Sequence, residues 1–204
     1  ESMLDNEVIY IVGAKQYSDH TGYGHSLRFI RLRAHAELPH DKLNRCGPHI
    51  VAFDAQRYLI GDQQYEEECI ERELLKAYAA CRGDLDEDSG PRQTGFATGN
   101  WGCGAFKGNA PLKALLQWCA ASQAGRQLRY FPFEMDWGPL LLEISNHLVA
   151  QGATVGELMT AFWLVRERLH TFKRENIFQA VDMTIAIGAA KDKGTDPSPA
   201  EATK

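Results

Sequence analysis

Apolar and polar positions follow two regimes along the chain. Up to about residue 133, short continuous apolar runs are separated by glycines and by amphipathic stretches. "VIYIVG" (8–13), "HIVAFDA" (49–55) and "LRYFPF" (128–133) are three such runs, and the run into "FATG" (96–99) is a fourth. Continuous rather than alternating apolar runs predict strands covered on both faces, as in α/β proteins. Between them, residues 62–81 place Ile70, Leu74, Ala77, Tyr78 and Cys81 on one helical face, with Glu66, Glu67, Glu71 and Glu73 largely on the others. Residues 110–124 repeat Leu112, Leu115, Leu116 and Cys119 at i, i+3, i+4, i+7. Pro111 stands in the first turn, where its missing N–H costs nothing, and Gly125 is a natural stop.

After Phe133, helix follows helix. One spans 136–150. Another starts at Thr154, whose hydroxyl has capping-box spacing to Glu157. A third starts near Asn176. Residues 191–204 are small, polar and proline-containing, which predicts a disordered tail behind one domain, or most of one, over 1–190. Residues 80–95 read as an acidic surface loop. Residues 1–5 read as the last turn of a helix with no capping residue to open it. The order of elements implies an α/β fold: a mixed sheet flanked by helices, with an additional C-terminal helical portion.

Composition narrows the function. The 204 residues are enough for one sizeable core. A net charge of −5 argues against general binding to a nucleic-acid backbone, but leaves room for a pocket that holds one anionic group. Five cysteines, an odd number with no C-x-x-C pair, predict reduced intracellular thiols. No apolar run reaches the roughly 20 residues of a membrane span, and "ESMLDNEVIY", with no basic head and no long apolar core, does not read as a secretory signal. The seven histidines do not cluster; "HAELPH" (35–40), with only Cys46 beyond it, gives no basis for a metal site. There is no G-x-S-x-G nucleophile motif.

The chemistry concentrates in "GFATGNWGCGAFKGNAPLKALLQ" (95–117), a strand that enters a helix through a glycine-dense turn. Such turns suit phosphate, because backbone N–H groups and the helix N-terminus converge on it. The turn is neither a Walker A loop nor a Rossmann fingerprint, since Lys107 is followed by Gly108 and "GCGAFKG" misses the spacing by one. By glycine pattern alone, a structural turn is as good a reading. Phe106 could press on a sugar or base, whereas Trp101 suits a core plug. "GAKQYSDHTGYG" (13–24), with Tyr17 and Tyr23, and "YFPFEMDWG" (130–138), with Phe133, follow other strands and complete a plausible nucleotide slot.

"QYSDHTGYG", "ATGNWGCGAFKGNAPLKALLQ" and "YFPF" together resemble the catalytic domain of poly(ADP-ribose) glycohydrolases, an elaborated macrodomain, over about residues 5–185. The resemblance implies poly(ADP-ribose) or ADP-ribose as partner, no metal or redox cofactor, and a nuclear or cytoplasmic setting. It implies that Asn100 lies along the ADP-ribose and that Gly102, Cys103, Gly104 and Ala105 offer backbone donors to the diphosphate. Phe106 would orient the distal ribose, Tyr23 would line the cleft, and Phe133 would pack on adenine. The family's glycine triplet followed by Gln-Glu-Glu does not occur here. The resemblance therefore implies no catalytic residue in this chain, with the acid supplied by an N-terminal portion of the same domain. "GDQQYEEECIE" (61–71) is read as an ordinary helix start, not as a substitute. The alternative is a non-catalytic ADP-ribose-binding module.

Overall fold

The computed structural model describes residues 3–22, 24–33, 40, 49–83, 95–133, 135–166 and 177–194. The strands are β1 (Ile9–Ile11), β2 (Ser18–Thr21), β3 (Arg28–Leu32), β4 (Ile50–Ala52), β5 (Phe96–Gly99) and β6 (Leu128–Phe131). The helices are α1 (Glu67–Arg82), α2 (Ala110–Gln123), α3 (Gly138–Ala150), α4 (Val155–Arg166) and α5 (Ile177–Gly194), with a 3₁₀ turn over Gly61–Tyr65 leading into α1. Among the described residues, no helix is long and apolar enough to cross a membrane.

Helix α2 is the centre of the molecule. Leu112, Leu115, Leu116 and Cys119 are buried, as their spacing predicts, but so are Lys113, Ala114, Gln117, Ala120 and Ala121. A helix enclosed this fully must have its polar groups partnered from neighbouring elements. Asn109 caps it by accepting the Leu112 N–H at 2.9 Å, with Pro111 in the first turn. Gly125, in the left-handed region at φ +66°, closes it. Ile70, Leu148, Phe162 and Phe178 bring the other helices onto α2 in the larger core cluster. A smaller cluster of Ala80, Cys81, Phe96, Ala121 and Ala124 seats β5 against α1 and α2. The capping box at α4 forms: Glu157 accepts from the Thr154 backbone N–H at 2.7 Å and from its hydroxyl at 2.8 Å. These hydrogen bonds hold the Glu157 carboxyl below its ordinary range.

Strands β5 and β6 are parallel, with Gly99 opposite Phe131, and α2 makes the crossover between them. Strands β1 and β4 pair antiparallel. The Phe53 ring, just after β4, lies 6.2 Å from Phe96 and 4.6 Å from Trp101, so side chains join this pair to β5.

The α/β architecture with mixed strand directions and C-terminal helices is as expected; among the described residues its strands pair as three two-stranded ladders, two antiparallel and one parallel. Several other expectations are corrected. Among the described residues, the run 8–13 is not covered on both faces. Tyr10 turns to α1 and donates to the Ala80 carbonyl at 2.8 Å, while Ile9 and Ile11, on the opposite face, stay exposed among the described residues. "SDHT" is no loop but β2 of a hairpin with β3, bulged between Asp19 and His20. It carries no apolar signal because much of the ribbon is open to solvent. Of the helix end expected over 1–5, residues 1 and 2 lie outside the described residues, and Leu4–Glu7 form a turn, with the Leu4 N–H on the Glu7 carboxylate at 2.8 Å. Helix α5 runs on to Gly194, past the start expected for the polar tail. Glu73, assigned to the polar side of α1, is fully buried, as is Lys76. The acidic loop at 84–94, Tyr23, residues 35–39 and Cys46 lie outside the described residues.

Candidate functional site

Because β5 and β6 are parallel, the segments that follow them leave from the same sheet edge. Asn100 ties the two together. Its side-chain oxygen accepts from the Tyr130 hydroxyl at 2.9 Å, and its side-chain nitrogen donates to the Pro132 carbonyl at 3.1 Å. The carboxamide expected to lie along a ligand is thus first a brace between two loops. Burial raises the Tyr130 phenol above its usual value, so it stays a donor. Phe133, one residue past the tie, sits at φ +55° and is 75% exposed, its ring against the backbone of Gly99. We expect Tyr130→Phe to lower stability by about 1 kcal/mol, the worth of one hydrogen bond with its acceptor left short. It should also weaken any ligand seated on Phe133. Urea titration and ligand calorimetry read the two effects.

The glycines of the turn have distinct reasons. A Cβ at Gly99 would stand 2.8 Å from the Phe131 carbonyl oxygen, and one at Gly108 would stand 2.9 Å from that of Gly102. Gly102 adopts φ +73°, and a Cβ there would lie 2.6 Å from that of Ala55. These three answer to the chain's own packing. Gly104 does not: a Cβ there would meet nothing within 4 Å.

The backbone N–H of Cys103 donates to the Asn100 carbonyl at 3.1 Å, so this amide is engaged inside the turn rather than offered outward. The N–H groups of Gly102, Gly104, Ala105 and Phe106 find no acceptor among the described residues. Burial pushes the Cys103 thiol up to about 12, which fits a small filler and not a nucleophile. Phe106 is 40% exposed and fixed through its backbone, its carbonyl accepting the Tyr58 N–H at 3.1 Å. Trp101 points inward, its indole N–H on the Phe53 carbonyl at 3.2 Å.

Below the turn lies an ionic cluster that helical periodicity gave no sign of. The Lys113 ammonium contacts the Glu73 carboxylate, lies 4.2 Å from the centre of the Trp101 ring, and is 5.6 Å from that of Tyr58. Glu73 also accepts from the Gln56 backbone N–H and from Arg72, each at 2.8 Å. Arg72 reaches Asp54 at 2.6 Å and Asp5 at 3.0 Å. Burial alone would raise the Asp54 carboxyl, but Lys76 and Arg72 beside it hold it below its ordinary range. Gln64, set aside as part of an ordinary helix start, is also structural: its side-chain oxygen takes the Asn109 N–H at 2.6 Å. Gln117 accepts from Thr98 at 2.7 Å and donates to the Gly99 carbonyl at 3.2 Å.

The structure thus brings together Asn100, Gly102, Cys103, Gly104, Ala105, Phe106 and Phe133 at one strand edge. Tyr23 lies outside the described residues. A glycine-rich turn and exposed aromatics at the carboxyl ends of parallel strands are the arrangement in which α/β proteins commonly hold nucleotide phosphates. A family model described as poly(ADP-ribose) glycohydrolase, macro domain fold, matches residues 1–137. The chain is 30% identical over 189 residues to "Probable poly(ADP-ribose) glycohydrolase 2" of Arabidopsis thaliana, covering 75% of this chain and 36% of that protein. It is 32% identical over 173 residues to poly(ADP-ribose) glycohydrolase 1 of Caenorhabditis elegans, covering 78% of this chain and 22% of that protein. The chain belongs to the poly(ADP-ribose) glycohydrolase family. It spans between 22% and 40% of the length of the curated relatives it matches over most of its own length.

Proposed function

We propose that this chain forms the substrate cradle of a poly(ADP-ribose) glycohydrolase, which cleaves ribose–ribose links of the polymer and releases ADP-ribose. Gly104 carries the reading: it is a glycine without positive φ and without a crowding neighbour, and its own N–H and that of Ala105 find no acceptor among the described residues. A ligand oxygen at that backbone accounts for all three. In this reading Gly102, Gly104 and Ala105 take the diphosphate, Phe106 orients the distal ribose, and Phe133 stacks on adenine. Tyr23 closes the cleft.

Cleavage passes through an oxocarbenium-like transition state and needs a proton on the leaving ribose oxygen. The carboxylates of residues 66–68 start an amphipathic helix and meet no such requirement. We therefore assign the acid to an N-terminal portion of the same domain, outside these 204 residues. The exposed Ile9 and Ile11 of β1 support a further portion packing on that face.

Gly104→Ala should change stability by no more than about 0.5 kcal/mol, since the added methyl meets open space. It should weaken ADP-ribose binding about tenfold or more, equivalent to at least about 1.4 kcal/mol. Calorimetry and thermal melts on the intact protein check both. Unchanged affinity would remove the diphosphate from this turn. Binding without release of ADP-ribose from polymer would favour a non-catalytic binding module.

A further inference from the structure

Lys113 is a cation with no route to solvent, yet it sits directly behind the turn proposed to hold the diphosphate. Three contacts place it there. Its ammonium lies 4.2 Å from the centre of the Trp101 ring, between the strand end and the turn. Cβ atoms built at Gly102 and Gly108 would stand 3.5 Å from its nitrogen and 3.1 Å from its Cε, so its stem and head lie close beneath both backbones. Glu73 fixes it from the far side, and Glu73 is itself held by the Gln56 N–H and by Arg72. The turn is therefore clamped from behind by one charged side chain.

A structural clamp alone would not require a charge. An apolar stem of the same length could prop Trp101, and replacing buried ion pairs by apolar groups is often neutral or stabilising. A cation a few ångströms behind unsatisfied amides does something an apolar prop cannot: in a low-dielectric interior it adds to the field that the amides and the α2 N-terminus offer an anion. We propose that Lys113, held by Glu73, is the positioning residue of the glycine-rich turn and sustains its affinity for the diphosphate of ADP-ribose without touching the ligand. This rests on the reading of the turn given above.

Among the described residues, the ionisable groups acting on Lys113 are Glu73, Arg72 and Cys69 from α1 and Tyr58 from the segment before it. Burial, reinforced by Arg72, lowers the Lys113 ammonium to about 7, with Cys69 acting in the opposite direction. Its charge is complete below that value and is lost as pH rises through it, so anion affinity should fall over the same interval.

The test uses the intact protein with ADP-ribose and with adenosine, which lacks phosphate. Lys113→Met combined with Glu73→Gln removes the pair without leaving a buried charge. We expect this double variant to melt close to the unaltered protein and to lose about tenfold or more in ADP-ribose affinity, with adenosine binding unchanged. Lys113→Arg keeps the charge through alkaline pH; its ADP-ribose affinity should stay flat between pH 6 and 9, where that of the unaltered protein declines. If the double variant is folded and binds ADP-ribose as before, the inference is overturned. It is equally overturned if both ligands weaken together, because Lys113 then acts only on the fold. Should the double variant fail to fold, identical pH profiles for the unaltered protein and Lys113→Arg overturn it, and differing profiles support it. An unaltered protein that binds no ADP-ribose sinks this inference and the reading of the turn together.

Discussion

Glu73→Ala should lower the unfolding free energy by about 3–5 kcal/mol, the range measured when one partner of a buried ion pair is removed. Two cations lean on this carboxylate. Lys113 contacts one oxygen, and Arg72 together with the Gln56 N–H takes the other. Removal strands Lys113 entirely inside the protein, while Arg72 keeps Asp54 and Asp5. The cost should therefore fall on Lys113, and denaturant titration should show Glu73→Gln less damaging than Glu73→Ala, since the amide oxygen still accepts one bond. Equal midpoints for Glu73→Ala and the unaltered protein would show that water reaches the cluster.

Gly102→Ala should be the most damaging change within the turn. The φ of +73° costs an L-residue about 1–2 kcal/mol, and the added methyl meets the Ala55 Cβ at 2.6 Å, an overpacking worth about 1–3 kcal/mol. Neither partner can swing away, because an alanine methyl has no rotamer to change. The sum, about 2–5 kcal/mol, contrasts with the small effect expected at Gly104 only two positions on. Both variants should lose ligand affinity, but Gly102→Ala alone should lose melting temperature. Parallel melts decide between them, and equal melting points would mean that the turn relaxes as a unit.

Much of this site can be read in the sequence, because its elements are local. Asn109 and Pro111 mark the start of α2, Gly125 its end, and Thr154 with Glu157 the start of α4, each through contacts within a few residues. The glycine-dense turn between the strand "FATG" and α2 is located on the same basis. Long-range contacts are not legible. Glu73 occupies a position that α1 periodicity assigns to solvent, and only the fold brings Lys113, forty residues later, against it. Gln64 looked like part of an acidic helix start until Asn109 came to rest on it. The β2–β3 hairpin escaped notice because "SDHT" lacks the apolar alternation that burial on one face imposes. Conversely, "VIYIVG" promised two covered faces, and among the described residues only the face bearing Tyr10 is met by a helix.

The braces at the two ends of the turn bear on how tightly a ligand can be held. At one end the carboxamide of Asn100 links Tyr130 to Pro132; at the other the carboxamide of Gln64 grips Asn109. A loop rich in glycine would ordinarily lose much conformational entropy on closing around a ligand, and that loss would weaken the complex. Here these braces already order both ends of the turn on folding, so a ligand bound as proposed would meet the stretch from Gly102 to Phe106 nearly preformed.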